Sequence, residues 1–517
     1  MGIERDLSKA LELYTKAAEQ GELNAQESVI RVNERIIEER VGNSNNAQSL
    51  SEAGKRFYYG NGVEKDYKKA VELFVRAAEL GCAEAQFSLG CCYENGNGVE
   101  KNFTKAVELY TKSAEQGNAT AQCNLGVCYN FGKGVEKDLV KAVEWYTKAA
   151  EQSLARAQCN LGTCYYNANG VEKDLAKAVE WYTKAAEQGN AAGQYNLGFC
   201  YYNGQGVERD ITKAIVWFSK AADQGHADAK TILQKLYNQP TNKVYFQNAV
   251  NDGGSYVKYY LGLYAVGNGR YNQSAFVYFS AAAAAENPDA ICELGVCYEK
   301  GYGVNIDEPK ASELYEKAIN LGCAKAAYRF ATLHSKYLSD VKRFDDKTLA
   351  EWYKKSAEGG YAEGQYALAD LYEEGRGVAE DLTAAFEWYK KAAEQGHSSA
   401  QYALACCYES GDGVAKDYSA ALAWYKKSTE QNHSFAQYRL GEIYYKGELG
   451  EKKNYKQAFE WLSKADENRS RLAHKLLAEC YLLGRGTAPN PIKAKKYKDL
   501  YRQPEKDYER LNKMFSK

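Results

Sequence analysis

Paired glycines two residues apart, each pair followed by valine, are the first feature of this 517-residue sequence that could carry chemistry. Glycine-rich loops cradle phosphate groups when they follow a strand and are accompanied by lysine with serine or threonine. Here the residues before Gly132 and Gly134 have helical spacing, and the same motif returns many times along the chain. The glycines therefore predict turns between helices, and no nucleotide or other cofactor is expected.

Fourteen cysteines and five histidines could bind a metal ion or act in catalysis. No C-x-x-C spacing suggests zinc, and no histidine has a cysteine or aspartate at catalytic spacing. Equivalent cysteines on stacked helices should lie further apart than the roughly 7 Å between Cα atoms that a disulfide spans. We therefore predict free, buried thiols in a reducing compartment, no metal site and no enzymatic activity. Six of the cysteines share one register position: Cys92, Cys128, Cys164, Cys200, Cys297 and Cys407.

A fixed period sets the spacing of these residues. Trp145, Trp181 and Trp217 lie 36 residues apart, and the text of residues 119–154 returns almost unchanged at 155–190. A period of roughly 20 to 50 residues is the signature of a solenoid, in which each repeat packs on its neighbours. The repeat must therefore be interpreted before any single residue.

Each repeat has the pattern of two amphipathic helices. Ala121 and Leu125 recur at helical spacing, and Gly132 ends the pattern. Asp138 is the expected N-cap of the second helix, which should end near Gln152. One hairpin cannot bury its apolar stripe, but neighbours stacked on both sides can. The predicted fold class is all-α, a solenoid of stacked helix–loop–helix repeats of about 36 residues.

The repeated string resembles the Sel-one-like repeat, a relative of the tetratricopeptide repeat. The resemblance covers almost the whole chain, and it implies a right-handed α/α superhelix that serves as a scaffold or adaptor for protein complexes. One branch of the family is secreted, disulfide-rich and reported to bind β-lactams; it has a cysteine where this chain has Ala150 and Ala186. In one repeat the resemblance is carried by Gln122, Leu125, Gly126, Tyr129, Gly132, Gly134, Val135, Asp138, Ala142, Trp145, Tyr146, Ala149, Ala150 and Glu151.

The regularity of the repeat divides the chain into five segments. Shorter units at 227–287 suggest a bend, and the polar end of the chain, with Leu511, Met514 and Phe515 on one side, suits a terminal cap. The predicted segments are 1–46, a partial repeat and a long helix; 47–226, five regular repeats; 227–287, two irregular short repeats; 288–470, regular repeats with an insertion near 335–346; and 471–517, the last repeat and a C-terminal capping helix.

Charge and hydropathy exclude two classes of partner. The formal net charge is −1, with 26% charged residues, so the chain lacks the basic excess that nucleic acid or an anionic membrane surface would require. No apolar run approaches the roughly 18 residues that span a bilayer. The start of the sequence has no apolar signal region, which predicts a cytoplasmic protein whose partners are other proteins.

The resemblance also implies which residues face a partner. In the related tetratricopeptide fold, positions 2, 5, 9, 12 and 13 of the first helix point into the concave groove. In the first half of this chain those positions are aromatic and amide-rich, and they could hold an extended peptide. The candidate residues are Phe87, Asn130, Phe131, Tyr166, Asn167, Tyr195, Phe199, Tyr202 and Asn203.

In the second half the same positions are acidic and rich in tyrosine, which favours a basic segment of a partner. The alternative is that the tyrosines at position 5 only pack on the next repeat, and that the carboxylates only aid solubility. The candidate residues are Tyr366, Asp370, Glu373, Glu374, Tyr402, Glu409, Tyr438, Glu442 and Tyr445. We refer to the two sets of candidates together as the groove face.

Three hypotheses about function follow. The first is an interaction scaffold or adaptor that binds peptide segments or partner proteins along the concave face. The second is the structural repeat arm of a larger, fused or truncated signalling protein, because residues 2–21 match the second half of a repeat, at 206–225. The third is a secreted, β-lactam-binding protein of the disulfide-rich branch, which the alanines noted above argue against.

Overall fold

A computed structural model describes residues 2–20, 22, 24–41, 46–266, 272–335 and 343–502. The described chain forms α-helices joined by short turns, with one short 3₁₀ helix and no strand. It divides into two compact units, Met1–Leu261 and Gly262–Lys517. Part of the predicted insertion and the predicted cap residues Leu511, Met514 and Phe515 lie outside the described residues.

Pairs of 13-residue helices dominate both units, and each such pair is one repeat. The helices are α1 Gly2–Glu19, α2 Ala25–Val41, α3 Ala47–Tyr59, α4 Tyr67–Glu79, α5 Ala83–Asn95, α6 Phe103–Glu115, α7 Ala119–Phe131, α8 Leu139–Glu151, α9 Ala155–Asn167, α10 Leu175–Glu187, α11 Ala191–Asn203, α12 Ile211–Asp223, α13 Ala227–Tyr237, α14 Lys243–Asn248, α15 Ser255–Ala265, α16 Gln273–Ala283, α17 Pro288–Lys300, α18 Glu308–Asn320, α19 Ala324–His334, α20 Asp346–Glu358, α21 Ala362–Glu374, α22 Leu382–Glu394, α23 Ser398–Ser410, α24 Tyr418–Glu430, α25 Ser434–Lys446, α26 Tyr455–Glu467, α27 Ala473–Leu483 and α28 Pro491–Arg502.

The ends of the helices are fixed by local capping. Asn118 caps α7 by accepting a hydrogen bond from the amide of Ala121, and Asp138 caps α8 by accepting one from Lys141. Gly132 ends α7 in the left-handed conformation, with φ of 69°, and α8 ends at Gln152. The predicted cap at Asp138 and the predicted helix end are therefore confirmed.

Within a repeat, an aromatic ring of the second helix lies directly on a glycine of the first. A Cβ atom at Gly126 would lie 2.7 Å from the ring of Tyr146, so only a very small residue fits under the ring. The same contact joins Gly54 to Phe74, Gly90 to Tyr110, Gly162 to Tyr182, Gly198 to Phe218, Gly262 to Phe279 and Gly295 to Tyr315. In the repeats of α21 and α23 the small residue is alanine, Ala369 and Ala405.

Buried glutamines connect many of the repeats to the previous one. The Nε2 of Gln122 donates to the carbonyl of Ala114 at 3.0 Å, and its Oε1 accepts from Gln152 at 2.8 Å. Because both the N–H and the C=O group of a buried amide need hydrogen-bond partners, these two hydrogen bonds fix the spacing of three consecutive helices. Equivalent links run through Gln86, Gln158, Gln194, Gln365 and Gln401.

The paired glycines form turns, as the sequence predicts, and the second glycine of a pair also packs on the preceding repeat. Gly134 has φ of 70°, and a Cβ atom there would lie 2.3 Å from the backbone oxygen of Phe103. Gly132 also has positive φ, but the nearest atom to its Cβ would be 3.4 Å away. Ala168 takes the position of Gly132 in the next repeat, with φ of 60°.

Substitution of these two glycines should therefore have unequal effects. Gly132→Ala should cost about 1–2 kcal/mol of folding free energy, the usual cost of alanine in a left-handed conformation. Gly134→Ala should cost about 1–3 kcal/mol more, because backbone atoms of Phe103 must move. Urea denaturation followed by circular dichroism measures both. Equal destabilisation by the two substitutions would show that the loop does not pack on the preceding repeat.

Three histidines are helix N-caps. His226, His397 and His433 each accept a hydrogen bond at Nδ1 from the amide three residues later, at 3.4, 3.1 and 3.3 Å. An accepting Nδ1 carries no proton, so the cap is made by the neutral ring. Burial lowers the pKa of His397, and burial together with the nearby His397 lowers the pKa of His433 to about 4.

Stability should consequently fall on acidification through these caps. Unfolded histidine binds a proton near pH 6.5, whereas the folded rings resist it, so their contribution is complete above that pH and is lost as pH falls towards 4. Asparagine caps the equivalent helices at Asn118 and Asn190 and does not titrate. The double variant His397→Asn/His433→Asn loses the ring contacts of both histidines at every pH but keeps the caps, so its thermal midpoint relative to wild type should rise from pH 7.5 to pH 5. A difference in thermal midpoint between variant and wild type that is the same at both pH values would contradict the assignment of these histidines as neutral caps.

None of the fourteen cysteines, all of which lie in the described part of the chain, forms a disulfide, and eleven of them are buried. Burial raises the pKa of Cys128, Cys164 and Cys200 to about 11, which keeps these thiols protonated and unreactive. The prediction of buried thiols is confirmed for eleven cysteines, whereas Cys82, Cys91 and Cys406 are partly exposed. The buried thiols fill the core as small apolar side chains.

Candidate binding surfaces on the first helices

The groove face lies on the first helices of the repeats, beside the glycine contact: positions 5 and 12 are one helical turn before and after the glycine at position 8. In the unit Met1–Leu261 it belongs to α5, α7, α9 and α11, and in the unit Gly262–Lys517 to α21, α23 and α25. Residues 5, 9, 12 and 13 of a helix share one side because of the 3.6-residue period. Which of these residues meet one another depends on the neighbouring repeat.

Four of the predicted residues converge on one pocket between α9 and α11. Tyr166, Asn167, Tyr195 and Phe199 line a cavity of about 240 Å³, together with three further residues. Aromatic rings from both helices line the cavity. Its two amide groups belong to Asn167 and to Asn196, which was not among the predicted residues. The cavity is large enough for one apolar or aromatic side chain of a peptide, with side-chain amides placed to bond a peptide backbone.

Tyr182 and Thr163 complete the pocket, although neither belongs to the predicted set. The hydroxyl of Tyr182 lies 3.2 Å from the hydroxyl of Thr163. Tyr182 comes from the second helix, and its ring reaches this side because Gly162 offers no Cβ. The glycine at this register position is the sequence signal that could have revealed the contribution of the second helix.

The tyrosines at position 5 are partly held by the next repeat. Tyr195 stacks on the ring of His226, with centroids 4.4 Å apart and planes at 14°. Tyr366 stacks on His397 at 4.9 Å, and Tyr402 lies 5.2 Å from His433. One side of each tyrosine ring therefore packs on the next repeat, as the alternative interpretation predicted. All three tyrosines nevertheless stay partly exposed.

Other predicted residues of the first unit lie away from the pocket. Phe87 packs on Tyr110, with ring centroids 5.9 Å apart, and Asn203 donates to the carbonyl of its own helix at Phe199. Phe131 is 65% exposed, and Asn130 and Tyr202 are partly exposed. Phe131, Asn130 and Tyr202 are accessible, but they do not line the pocket between α9 and α11.

In the second unit, a buried tyrosine joins two of the predicted carboxylates. The hydroxyl of Tyr389, on α22, lies 2.7 Å from Oδ1 of Asp370 and 2.6 Å from Oε2 of Glu373. Burial raises the pKa of Asp370 to about 7; the hydrogen bond from Tyr389 opposes this shift, and the charges of Glu373 and Glu374 add to it. The sequence predicted both carboxylates but not the buried phenol that joins them.

Further along, basic residues neutralise the predicted acidic surface. Arg439 contacts Glu409 through Nε and Nη2 and bonds Glu442 at 2.8 Å. Arg376 pairs with Glu374 at 3.1 Å. The acidic character is therefore concentrated at Asp370 and Glu373.

Two predicted tyrosines near the C-terminal end are engaged within the chain. Tyr445 is only 7% exposed; its hydroxyl donates to Glu479 at 2.7 Å and accepts from Arg485 at 2.6 Å. Tyr438 packs against the core of α25–α27, where burial first, and Glu442 second, raise its pKa to about 12. Tyr445 is thus part of the interior and leaves the groove face shorter than the sequence suggested.

In residues 2–20, 22, 24–41, 46–266, 272–335 and 343–502, no three His, Cys, Asp or Glu side chains are arranged to hold a metal ion. In the same ranges no helix has both the length and the apolar character needed to cross a membrane.

Stacked helical hairpins with this capping and packing define an α-solenoid of the tetratricopeptide-like class, a class made up generally of protein-interaction scaffolds. The sequence model of the Sel1 repeat matches twelve segments, and the chain belongs to the Sel1 repeat family. The matches leave out residues 227–287, where α13 to α16 are shorter than the regular helices. The matched residues are 1–22, 47–82, 83–118, 119–154, 155–190, 191–226, 288–323, 324–361, 362–397, 398–433, 434–465 and 471–497.

Two solved structures illustrate the similarity. A protective antigen of uropathogenic Escherichia coli strains, described as displaying an SLR fold, is 32% identical; the alignment covers 95% of this chain and 95% of that chain, with a TM-score of 0.46. A Sel1 repeat protein from Oxalobacter formigenes is also 32% identical, over 46% of this chain and 90% of that chain, with a TM-score of 0.37.

The unusual ionisation of Asp370 can be tested by stability. Because the folded state holds the Asp370 proton up to about pH 7, ionisation costs stability as pH rises from about 4 through 7. Asp370→Asn removes that cost, so the variant should gain thermal midpoint over wild type at pH 8 and gain less at pH 5. Glu387→Gln is the control, because Glu387 is an exposed carboxylate on the second helix and does not contribute to the pKa shift of Asp370. A gain that does not change with pH would show that Asp370 is ionised throughout.

Proposed function

We propose that the chain is an interaction scaffold that binds peptide segments of other proteins along the groove face. The observation that carries this proposal is the pocket between α9 and α11, where Tyr166, Asn167, Tyr195 and Phe199 meet. Aromatic side chains around a small pocket are typical of the anchors that dominate protein interfaces. Amides beside them suit the backbone of an extended peptide, which has unpaired N–H and C=O groups.

The second unit contributes a different chemistry to the same function. Asp370 and Glu373 form an acidic site, beside the partly exposed Tyr366 and Tyr402, that favours a basic segment. The expected compartment is the cytoplasm, where free thiols persist. Binding without catalysis is the role that these surfaces support.

The pocket can be tested with a pair of matched variants. Phe199→Ala/Asn167→Ala removes one aromatic wall and one amide; neither side chain is fully buried, so the fold should persist. Phe131→Ala/Asn203→Ala is the control, because it changes the same residue types on the groove face outside the pocket. Unchanged thermal midpoints establish that both variants are folded.

Wild type and each variant are used to capture partners from a lysate, and the captured proteins are quantified by mass spectrometry. The affinity for the captured segment is then measured by titration with a synthetic peptide. Loss of an aromatic anchor typically costs an interface 2 kcal/mol or more, so affinity for the pocket variant should fall by roughly tenfold or more. The control variant should bind within about twofold of wild type. Identical partners and affinities for the pocket variant and wild type would contradict the proposed function.

A further inference from the structure

A glutamate at position 12 of the first helix recurs in four repeats, and in each it accepts a hydrogen bond from the buried tyrosine of the second helix. This contact places the carboxylate at a defined point on the groove face. The pairs are Tyr110 with Glu94 at 2.6 Å, Tyr315 with Glu299 at 2.8 Å, Tyr389 with Glu373 at 2.6 Å and Tyr425 with Glu409 at 2.7 Å.

One of these carboxylates binds a guanidinium group. Arg439, on the first helix of the following repeat, reaches back over 30 residues and contacts both oxygens of Glu409. The same arginine bonds Glu442 and Glu448 at 2.8 Å each. The bidentate contact is the geometry in which a planar guanidinium recognises a carboxylate. The repeat of Glu409 is therefore an occupied arginine site.

The repeat of Glu373 has the same carboxylate but no arginine. The residue 30 positions after Glu373 is Ala403, which takes the place of Arg439 and ends at Cβ. In the part of the chain that the structure describes, the ion pairs near this site involve Glu374 and Arg376 but neither Asp370 nor Glu373. Glu373 is exposed, so the place left by the short side chain opens to solvent.

The tyrosine in this repeat also has more acceptors than protons. The hydroxyl of Tyr389 can donate to only one carboxylate, yet oxygens of both Asp370 and Glu373 lie within 2.7 Å of it. The hydroxyl of Tyr366 is a second donor to Asp370, but both phenols are neutral and supply no counter-charge to the two carboxylates. In the following repeat position 9 is Cys406, whose sulfur lies 3.3 Å from Tyr425, so only one carboxylate meets that tyrosine. The Asp370–Glu373 site thus has two carboxylates on one tyrosine and, unlike the site of Glu409, no paired cation among the described residues.

We propose that Asp370 and Glu373 bind the side chain of an arginine in a partner peptide, in the place that Ala403 leaves open. This inference rests on the proposed scaffold function and specifies one side chain of the partner. Arginine fits better than lysine because its guanidinium donates to two carboxylates at once and stays charged when partly desolvated. The exposed carboxylate of Glu373 contacts the guanidinium first. Asp370 then releases its proton to solvent, and its carboxylate pairs with the same guanidinium.

The test uses an arginine built into the site and a defined probe. Ala403→Arg should place a guanidinium on Glu373 as Arg439 does on Glu409, and Glu373→Gln removes the receiving charge without changing size. Asn160→Arg is the control, since it adds the same charge at the same register position, where the preceding repeat has Asn130 in place of glutamate. Thermal midpoints verify that each variant is folded.

The probe is a fluorescent glycine–serine peptide with one central arginine, compared by anisotropy with peptides that have lysine or citrulline there. Wild type and Asn160→Arg should bind the arginine peptide at least tenfold tighter than the citrulline peptide, and tighter than the lysine peptide. Ala403→Arg and Glu373→Gln should lose that preference. No preference in wild type, equal binding of the lysine peptide, or a preference that survives Ala403→Arg would each overturn the arginine site.

The two proposals fail separately. The peptide probe reports only on the site of Asp370 and Glu373, whereas the capture experiment depends on the pocket of α9 and α11. Selective loss of partners from the pocket variant without an arginine preference would retain the scaffold and discard the arginine site. An arginine preference with unchanged capture would retain the site and discard the pocket as the place where partners bind.

Discussion

The contact between an aromatic ring of the second helix and a glycine or alanine of the first is the constraint on which the rest of the structure depends. Since a Cβ at Gly126 would lie 2.7 Å from Tyr146, the two helices approach closely enough for the ring to lie on the backbone of the first helix. The hydroxyl then emerges on the groove face beside positions 9 and 12. Where the ring is a tyrosine, the contact that closes the hairpin therefore also places a hydroxyl group on the candidate binding surface.

The chemistry of the groove face follows from what meets that hydroxyl. Around Tyr182 the neighbours are Thr163 and a pocket of aromatic and amide groups, whereas around Tyr389 they are two carboxylates. The following repeat also contributes a residue to this surface: Arg439, for example, contacts Glu409 of the preceding repeat. One scaffold can thus present different ligand preferences by changing side chains at a few register positions while its core stays constant.

The sequence was sufficient for features that depend on one repeat alone: the helices, the cap at Asp138, the turns at paired glycines and the free thiols. Four of the predicted residues line the α9–α11 pocket, and the sequence could indicate them because they occupy corresponding faces of two first helices. It did not reveal Tyr182 or Arg439, because those side chains act across 19 to 30 residues and their reach depends on packing between helices. The interior position of Tyr445 was missed for the same reason, and the bend at 227–287 stays a prediction.

Binding on the first helices, rather than on the second helices with their tryptophans, is the central claim. Hydrogen–deuterium exchange of the chain, alone and with a captured partner segment, tests it most directly because it reports on each helix separately. Slower exchange should be confined to the first helices, above all α9, α11, α21 and α23. Protection confined to second helices such as α8, α10 and α12, with unchanged exchange in the first helices, would contradict the claim.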